Sequence, residues 1–328
     1  MEESNLNLVV KEAQLLNPLI RMIRLGAADG SVLPGWSPGA HIQLRVALPG
    51  GAQDWRHYSL INVCGQPCDG RHPSDYLIAV RLEDGGRGGS RFMHESLQPG
   101  DTIEVRPPRN DFPLHEGADP ALLVAGGIGV TPLISMATRR LADALPVRMV
   151  YAGRSRDQMA FLDVLQANLG EQLSVHVDGE QGSPLAVDAL LDDCGPNDQI
   201  YVCGPKPMLD AVLKAAEVRG IASDRIHFEL FSAPVTEVGD APFELVLAQS
   251  GQRFTVPPDQ TILDCLIEHG HDPIFDCKRG ECGVCALPVL EGDIDHRDYV
   301  LSDFEKKEGT VIQVCVSRAK GARLVLDI

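Results

Sequence analysis

Residues 277–285 read CKRGECGVC and place three cysteines within nine residues. A fourth, Cys315, follows after 29 further residues and completes the pattern C-x4-C-x2-C…C. This spacing is typical of a plant-type [2Fe–2S] cluster, in which each iron takes two thiolates. Glycines at 280 and 283 allow backbone amides to turn toward the sulfides of such a cluster. The predicted metal ligands are therefore Cys277, Cys282, Cys285 and Cys315.

Structural zinc is the alternative chemistry for these four cysteines. Zinc sites prefer paired C-x2–4-C knuckles, and the asymmetric layout here is better explained by the cluster. Cys265 has apolar spacing with Ile262 and Leu266 on the preceding helical segment, which indicates a buried core thiol rather than a ligand. The odd total of nine cysteines in a long chain does not fit a secreted disulfide scaffold.

A second candidate site lies in LLVAGGIGVTP (122–132), where an apolar strand runs into glycines and then into a helix. A helix start of this kind offers unpaired N–H groups and a positive dipole end to a pyrophosphate. YVCGPKPM (201–208) adds a Cys-Gly-Pro turn after another strand, at the edge where α/β sheets bind ligands. Taken alone, a ligand-free glycine turn explains the first segment as well as a ligand site does, whereas a buried core thiol is the less favoured interpretation of Cys203.

Two earlier segments combine cations with groups that suit flat or anionic ligands. In WRHYSLIN (55–62), strand alternation puts Arg56 and Tyr58 on one face and Ser59 on the other. An ordinary half-buried strand is the competing interpretation and is slightly favoured by the pattern alone. GGRGGSRF (85–92) is a glycine-rich turn that opens a helix with a serine near its start, which suits an anion site or a flexible hairpin tip.

The elements that must position these groups fall into three patterns. Before residue 110, six short apolar or alternating segments separated by Gly and Pro predict a six-stranded antiparallel barrel, interrupted by a short helix at about Ser90 to Leu97. Five apolar strands that alternate with helices then predict a doubly wound parallel sheet. The last part holds strands, the helix TILDCLIEHG and the cysteine loop.

The predicted fold class is thus multidomain, with a β-barrel, an α/β domain and a carboxyl-terminal β-grasp domain. The predicted boundaries are 1–110 for the barrel, 111–231 for the parallel sheet, 232–242 for a linker rich in small and acidic residues, and 243–328 for the cysteine-containing domain.

Composition excludes several classes of function. A net charge of −17 argues against a nucleic-acid-binding surface, because polyanions are bound through Lys and Arg patches. No run of 18 apolar residues predicts a membrane span, and the amino terminus lacks the pattern of a signal peptide. The sequence therefore predicts a cytoplasmic protein that binds neither nucleic acid nor membrane.

Read together, RHYSL, GRGGS, AGGIGVTP, CGPKPM, HFELF and the cysteine pattern resemble the ferredoxin-reductase-type flavoproteins. More narrowly they resemble the phthalate dioxygenase reductase and vanillate demethylase reductase family, and the resemblance covers essentially the whole chain. It implies an FMN domain, an NADH domain and a plant-type ferredoxin domain. It also implies an oxidoreductase that passes electrons from NADH through FMN and the cluster to a separate, Rieske-type ring-hydroxylating or demethylating oxygenase.

The resemblance implies roles for individual residues as well. The implied flavin contacts are Arg56, Tyr58 against the isoalloxazine, Ser59 near its N5, Ala79 and Arg81, with Gly88, Gly89 and Ser90 at the phosphate. The implied nucleotide contacts are Gly127, Gly129 and Thr131 at the pyrophosphate, and Cys203, Gly204, Pro205 and Met208 at the nicotinamide. Glu229 and Phe231 match the segment that closes over the flavin. The expected catalytic residues are Ser59, Cys203, Glu229 and Phe231.

Two cofactor choices stay open. Arg154 and Arg156 follow the second strand of the parallel sheet and suit a 2′-phosphate, so NADPH is an alternative to NADH, and Arg154 counts as a candidate nucleotide contact. FAD relatives use a similar flavin strand, but no adenine-stacking segment follows GGRGGS, which favours FMN. Other readings of the chain are a reductase for a diiron monooxygenase and a non-catalytic protein with a structural four-cysteine site.

The expected partner follows from the charge of the last domain. Residues 241–328 hold 15 Asp and Glu against 9 Lys and Arg, with Lys278 and Arg279 beside the cysteines. One-electron transfer requires brief docking, and such interfaces are small and guided by charge. The sequence predicts a monomer whose oxygenase partner docks transiently near the cluster loop, more weakly as salt rises.

Overall fold

The computed structural model describes residues 4–63, 72–84, 86–231, 237 and 239–328. The chain divides into two compact units, residues 1–229 and 230–328. Cys64, Cys68, Gly85 of the glycine-rich turn and residues 232–236 and 238 of the predicted linker lie outside the described residues. No helix within the described ranges is long and apolar enough to cross a membrane.

The first unit begins with six antiparallel strands, as the turn-punctuated pattern predicts. They are β1 (Leu6–Asn17), β2 (Ile20–Gly26), β3 (His41–Ala47), β4 (Gln53–Ser59), β5 (Asp75–Arg81) and β6 (Thr102–Arg109). Their order is β4-β3-β6-β1-β2-β5. The Ile61 N–H donates to the Leu77 carbonyl (2.9 Å), which joins the chain after β4 to β5. Alternate side chains such as Ile23, Ile42 and Leu44 are fully buried in the interior.

The predicted short helix after β5 has two parts. Helix α1 (Gly89–Arg91) runs directly into a π-helical turn, Phe92–Ser96. The buried Arg21 donates from Nη1 to the carbonyls of Met93 and His94, both at 2.8 Å. A π-turn shifts the regular helical hydrogen bonds, so a side-chain donor that satisfies these carbonyls holds the turn against β2.

A five-stranded parallel sheet follows, as the alternation of apolar strands and helices predicts. The strands are β7 (Ala121–Gly126), β8 (Val147–Gly153), β9 (Leu173–Val177), β10 (Gln199–Cys203) and β11 (Ile226–Glu229). The helices are α2 (Val130–Ala142), α3 (Leu162–Leu169), α4 (Asp178–Gln181), α5 (Asp188–Asp192) and α6 (Lys206–Val218). The strand order is β11-β10-β7-β8-β9, so β7 and β10 are neighbours although they are far apart in the chain.

The helical segment DQMAFLDVLQANL is shorter in the structure than its apolar pattern suggests. A single 3₁₀ turn covers Arg156–Gln158, and α3 starts only at Leu162. Phe161 just before it has φ of 61°, a left-handed backbone that an α-helix does not contain. Apolar spacing alone does not reveal this break.

The barrel and the parallel sheet share one continuous core within the first unit. Ile61, Leu77 and Phe112 pack in the same buried cluster as Leu133 and Ile134 of α2. Shared apolar burial of this kind explains why these two parts form a single compact unit. The predicted domain boundaries at 110 and 231 stay predictions.

The second unit has the mixed sheet and crossing helix of a β-grasp domain. Its strands are β12 (Phe243–Leu247), β13 (Arg253–Val256), β14 (Ala286–Glu291), β15 (Ile294–Asp295), β16 (Val311–Gln313), β17 (Arg318–Ala319) and β18 (Arg323–Leu326). The main sheet has the order β13-β12-β18-β14-β16, and β15 pairs with β17. Helix α7 (Ile262–Glu268) buries Ile262, Leu263 and Leu266 against it.

Helix α8 (Asp303–Glu308) of the second unit was missed by the sequence interpretation. Ser302 accepts a hydrogen bond from the Glu305 N–H, and the Glu305 carboxylate accepts one from the Ser302 N–H. This reciprocal pair is a capping box, and its S-x-x-E signature is legible in the sequence. The helix was missed because its residues are almost all polar and show no apolar period.

Candidate functional site

The four predicted cluster ligands lie in two thiol pairs. Cys277 interacts most strongly with Cys282, and Cys285 with Cys315. The interaction with the Cys282 thiol lowers the pKa of Cys277 to about 5, and the same interaction raises the pKa of Cys282 above its ordinary value. The Cys315 thiol likewise lowers the pKa of Cys285, while the pKa of Cys315 is raised. Each pair thus holds one readily formed thiolate, the form that binds metals.

This pairing bears on the choice between zinc and the cluster. Among the residues that the structure describes, no three His, Cys, Asp or Glu side chains converge on one point as ligands of a single ion would. A tetrahedral zinc site requires all four thiolates around one ion. The C-x4-C-x2-C spacing with a distant fourth cysteine fits two irons with two thiolates each, so the donor set favours the [2Fe–2S] cluster.

The backbone of the cysteine loop is shaped by three left-handed residues. Gly280 and Gly283 have φ of 78° and 75°, and Lys278 has φ of 56°. A Cβ on Gly280 would lie 2.7 Å from Val316 Cγ2, so this glycine also allows the loop to pack on the segment after Cys315. The Arg279 N–H donates to Cys277 Sγ at 3.3 Å, as expected for amides that turn toward a cluster.

The ligands differ in how far they are from solvent. Cys285 and Cys315 are buried, Cys277 is partly buried and Cys282 is exposed. Cys285 also lies 3.3 Å from Gln313 Oε1, to which its thiol donates. One edge of the thiol quartet therefore reaches the protein surface while the opposite edge is fixed in the core.

The two turns predicted to hold the nucleotide meet at the carboxyl edge of the parallel sheet. A Cβ on Gly129 would lie only 2.1 Å from the Cys203 carbonyl oxygen. A Cβ on Gly126 would lie 2.6 Å from Pro205 Cδ and 3.0 Å from Met208 Sδ. The glycines are therefore required for contact between the turns after β7 and β10, which agrees with the close approach that α/β nucleotide sites need.

Other predicted nucleotide residues surround this junction. Gly127 has φ of 55°, and the buried Thr131 donates from Oγ1 to the Ile128 carbonyl (3.0 Å) in the first turn of α2. Gly204 is so close that a Cβ would lie 3.0 Å from Gly126 Cα. Cys203 and Glu229 are both buried and are register partners on β10 and β11. Phe231 belongs to the second unit and is partly exposed.

The two arginines considered for a 2′-phosphate have different surroundings. Arg156 donates to both carboxylate oxygens of Glu180, from Nε at 2.7 Å and from Nη2 at 3.0 Å. Glu180 lies on α4, which follows β9, the strand beside β8. The carbonyl of Arg154 accepts a hydrogen bond from the Gly179 N–H (3.1 Å). An internal carboxylate thus already occupies the fork of Arg156 that a phosphate would use.

The predicted flavin strand lies against the predicted phosphate turn. A Cβ on Gly89 would lie 2.9 Å from Arg56 Nε, so the side chain of Arg56 covers the start of α1. Arg56 also pairs with the Asp54 carboxylate and donates to the Trp55 carbonyl (2.9 Å). Gly88 has φ of 94°, and Ser90 Oγ accepts from the Glu83 N–H (3.1 Å). Arg56, Gly88, Gly89 and Ser90 are thus brought together.

The remaining flavin candidates lie on β4 and β5. Tyr58 packs against the barrel core, and burial raises the pKa of its phenol above the ordinary value. Ser59 is buried, and its Oγ has no hydrogen-bond partner within the described part of the chain. A buried hydroxyl without a partner is costly unless a ligand satisfies it. Ala79 is buried on β5, and Arg81 lies 3.8 Å from Glu83.

Sequence reasoning missed a set of hydroxyls that joins the flavin strand to the nucleotide helix. Ser135 of α2 donates from Oγ to the Leu60 carbonyl (2.9 Å) and accepts from the Asn62 N–H (2.8 Å). Thr138 donates to the Asn62 carbonyl at 2.9 Å. These bonds fix the end of β4 to the helix that begins at the glycine turn. The hydroxyls of Ser135 and Thr138, three residues apart on one face of α2, were the available signal.

Family models match two parts of the chain. Residues 101–226 match the dimethylamine monooxygenase subunit DmmA-like, N-terminal domain. Residues 245–320 match the 2Fe-2S iron-sulfur cluster binding domain, which covers all four predicted ligands.

Several relatives match over nearly the whole length of the chain. The chain is 41% identical over 307 residues to a putative toluene-4-sulfonate monooxygenase system reductase subunit of Comamonas testosteroni, covering 93% of both chains. It is 39% identical over 331 residues to the tetrachlorobenzoquinone reductase of Sphingobium chlorophenolicum, covering 99% of this chain and 98% of the relative. The solved structure of phthalate dioxygenase reductase matches with a TM-score of 0.75 and 35% identity, covering 99% and 98%.

Proposed function

The chain belongs to the phthalate dioxygenase reductase family, and from that membership we propose that it passes electrons from NADH through FMN and a [2Fe–2S] cluster to the oxygenase component of a Rieske-type system. The observation that carries this proposal is that the three loop cysteines and the distant Cys315 lie together, with Cys285 and Cys315 buried and Cys282 at the surface. Flavin bound by the chain would supply hydride acceptance from NADH and one-electron transfer to the cluster.

The protein residues bind and orient the two organic groups. The Arg56 guanidinium and the turn Gly88–Ser90 hold the FMN phosphate, and Tyr58 packs on the flavin ring, which Ala79 and Arg81 line from the other strand. The Ser59 hydroxyl, buried without a partner among the described residues, donates to the flavin near N5. This assignment is supported by the contact between Arg56 and Gly89.

The turns after β7 and β10 hold NADH. Gly127, Gly129 and Thr131 present the start of α2 to the pyrophosphate, and the turn Cys203–Pro205 with Met208 supports the nicotinamide. Glu229 stands beside Cys203 on the next strand and, with Phe231, is assigned to closing the flavin site. Close contact between Gly129 and Cys203 supports one continuous nucleotide site.

NADH is the preferred coenzyme because Glu180 engages Arg156. A 2′-phosphate at this corner would have to displace the Glu180 carboxylate and would then face an unpaired negative charge. The 2′-hydroxyl of NADH meets neither penalty, so Arg156 does not select NADPH, and Arg154 is assigned as a nucleotide contact.

The oxygenase docks transiently near the cluster loop, and the reductase acts as a monomer. The acidic charge of residues 241–328 guides the encounter, so oxygenase reduction slows as salt rises while NADH-to-ferricyanide turnover changes little.

Anaerobic titration with NADH tests the electron path. We expect bleaching of the flavin band and of the cluster absorbance, an axial or rhombic EPR signal from the reduced cluster, and FMN in the heat-treated supernatant. A colourless protein, or a cluster that stays oxidised with excess NADH, would contradict the proposed function. Release of FAD would contradict the assignment of the phosphate turn.

A second acceptor class, a small quinone, is favoured by the similarity to tetrachlorobenzoquinone reductase. Steady-state rates with a chlorinated benzoquinone in the wild type and in a cluster-free variant separate the two functions. A direct quinone reductase would retain its rate of quinone reduction without the cluster. An oxygenase reductase without the cluster would lose the ability to reduce a protein acceptor.

A further inference from the structure

Four apolar side chains are exposed around the surface edge of the cysteine loop. Ile274 is 77% exposed, Phe275 39%, Val284 41% and Val300 39%. Ile274 and Phe275 precede Cys277 by three and two residues, and Val284 lies between Cys282 and Cys285. A Cβ on Gly283 would lie 3.1 Å from Val300 Cγ1, so Val300 abuts the same loop. We call these four residues the cluster-loop patch; clustered apolar exposure of this kind marks an interaction surface.

The patch is held in place by interactions that do not contribute to core packing. The Lys278 ammonium lies 4.5 Å from the centroid of the Phe275 ring and 3.5 Å from the Asp264 carboxylate. Lys278 adopts a left-handed backbone, which is unfavourable for a residue other than glycine. These contacts fix the aromatic ring before any partner arrives, which lowers the ordering cost of binding.

Val300 is fixed from the other side of the loop. The buried Asp298 carboxylate accepts hydrogen bonds from the N–H groups of Val300 (3.3 Å) and Leu301 (2.9 Å). The Tyr299 N–H donates to the Gly280 carbonyl (3.0 Å), which ties this segment to the cysteine loop. The segment that carries Val300 therefore has a fixed position relative to the cluster ligands.

Charges of both signs lie around the patch: Lys278 contacts Phe275, and α8 carries Asp303, Glu305 and Glu308 together with Lys306 and Lys307. Acidic residues are in excess in this unit. Asp272 precedes Ile274 by two residues and is exposed, and exposed Asp303 and Glu305 follow Val300 on α8. Docking surfaces for electron transfer combine a desolvated apolar centre with a charged rim, and the two parts act differently. Charge raises the rate of encounter, whereas apolar burial lengthens the lifetime of the complex.

We propose that the cluster-loop patch is the apolar centre of the surface that docks the electron-accepting oxygenase, whose matching surface is an apolar patch bordered by Lys and Arg. This rests on the proposed function, because electrons leave the chain where Cys282 reaches the surface. Apolar contact then sets how long the partner stays, and the acidic residues set how fast it arrives. Mutation of the apolar residues should therefore change the affinity for the partner, and mutation of the acidic residues should change the salt dependence of the encounter rate.

The test uses Ile274→Ser in the full-length holoprotein, with Leu290→Ser as the matched control. Ile274 is so exposed that its replacement leaves the core intact, and Leu290, 56% exposed on β14 of the same unit, lies outside the patch. The probe acceptor is mitochondrial cytochrome c, a basic protein whose apolar haem edge is ringed by lysines. Ferricyanide, which has no docking surface, reports the flavin and nucleotide sites.

We expect Ile274→Ser to raise the KM for cytochrome c about five- to tenfold, the loss expected when most of one isoleucine is no longer buried. The ratio to wild type should persist at high salt, because no charge is removed. Leu290→Ser should match wild type, and both variants should keep wild-type ferricyanide turnover and cluster absorbance.

Three results would contradict the assignment of the cluster-loop patch as the docking centre. An unchanged KM for cytochrome c would show that the patch is not the docking centre. Slower reduction of the cluster by NADH in rapid mixing would assign the patch to transfer within the chain. A dimer of the wild type that Ile274→Ser converts to a monomer in sedimentation would assign it to a second copy. Failure of the proposed function would give a different result, because the wild-type cluster would then stay oxidised with NADH. The assignment of the patch as a docking surface would be rejected together with that function.

Discussion

The cysteine loop (the cluster loop) and the place where the turns after β7 and β10 touch (the nucleotide junction) build a site by opposite means. The cysteine loop supplies three of the four predicted cluster ligands from nine consecutive residues, and each would act through a side chain whose chemistry is specific. The nucleotide junction depends on the absence of side chains at Gly126 and Gly129, which allows turns from strands far apart in the chain to touch. A site of the first kind is a local property of the sequence, whereas the second exists only through the sheet topology.

The largest effect is expected from Cys282→Ser in the cluster loop. Loss of one of four thiolates should abolish the cluster absorbance and EPR signal, while NADH-to-ferricyanide turnover stays within about twofold because the sites are independent. Cys265→Ala, which removes a buried thiol of α7 that is not a ligand, should keep the cluster. Equal loss of both activities in Cys282→Ser would show that the two regions are not separable.

Arg56→Ala should produce nearly as large an effect in the other unit. Without the guanidinium beside Gly89, the FMN phosphate loses a charge-assisted contact, and flavin should be lost on gel filtration while the cluster signal persists. Arg45→Ala, which removes an exposed arginine of β3 paired with Glu104, is the control and should retain flavin. Stoichiometric flavin in Arg56→Ala would mean that the phosphate binds elsewhere.

Gly129→Ala isolates the contact between turns. Gly129 has φ of −61°, which any residue adopts, so the added methyl group tests only the 2.1 Å approach to the Cys203 carbonyl. Separation of the two turns should weaken NADH binding by about tenfold or more, the result of a typical overpacking cost. The NADH concentration dependence of flavin reduction, followed by stopped flow, measures this affinity for NADH. Gly321→Ala, which meets open space, should be neutral, and wild-type NADH affinity in Gly129→Ala would contradict the assignment.

Glu180→Gln should change coenzyme choice more modestly. Removal of the carboxylate frees the Arg156 fork and removes repulsion, so the ratio of kcat/KM for NADPH to that for NADH should rise about five- to tenfold. Glu171→Gln changes an exposed carboxylate just before β9 and should leave the ratio unchanged. An unchanged ratio in Glu180→Gln would place the 2′-position away from this pair.

The smallest effect concerns stability of the unit that carries the cluster. The hydrogen bond from Arg297 lowers the pKa of Asp240 to about 2. Because the folded pKa lies below the unfolded value, this stabilisation is present above about pH 4 and is lost as the pH falls toward 2. Asp240→Asn should reduce the free energy of unfolding by about 1–2 kcal/mol at pH 7.

Urea unfolding followed by circular dichroism at pH 7, 4 and 3 checks this prediction. The difference between wild type and Asp240→Asn should be constant from pH 7 to about 4 and shrink below it. Asp259→Asn, an exposed carboxylate of the same unit, should differ little from wild type at each pH. If the difference in the free energy of unfolding grew on acidification, ionised Asp240 would not stabilise the folded state.

Much of the fold is legible in the sequence. The six barrel strands, the five parallel strands, α2, α6 and α7 all follow from apolar period and turn residues, because burial imposes that period directly. The late start of α3 and the existence of α8 do not follow, since one is decided by a left-handed Phe161 and the other by polar capping. Neither leaves a mark in the apolar pattern.

By itself, the sequence determined the fold class and the family and predicted the cluster ligands, because cysteine chemistry and apolar period depend on residue type and spacing alone. Only the tertiary structure decided which thiols pair, that Gly129 touches Cys203, that Glu180 engages Arg156, and that Ser135 ties the flavin strand to α2. These contacts join residues that are distant in the chain. Their formation depends on strand order and backbone approach, which residue spacing does not encode.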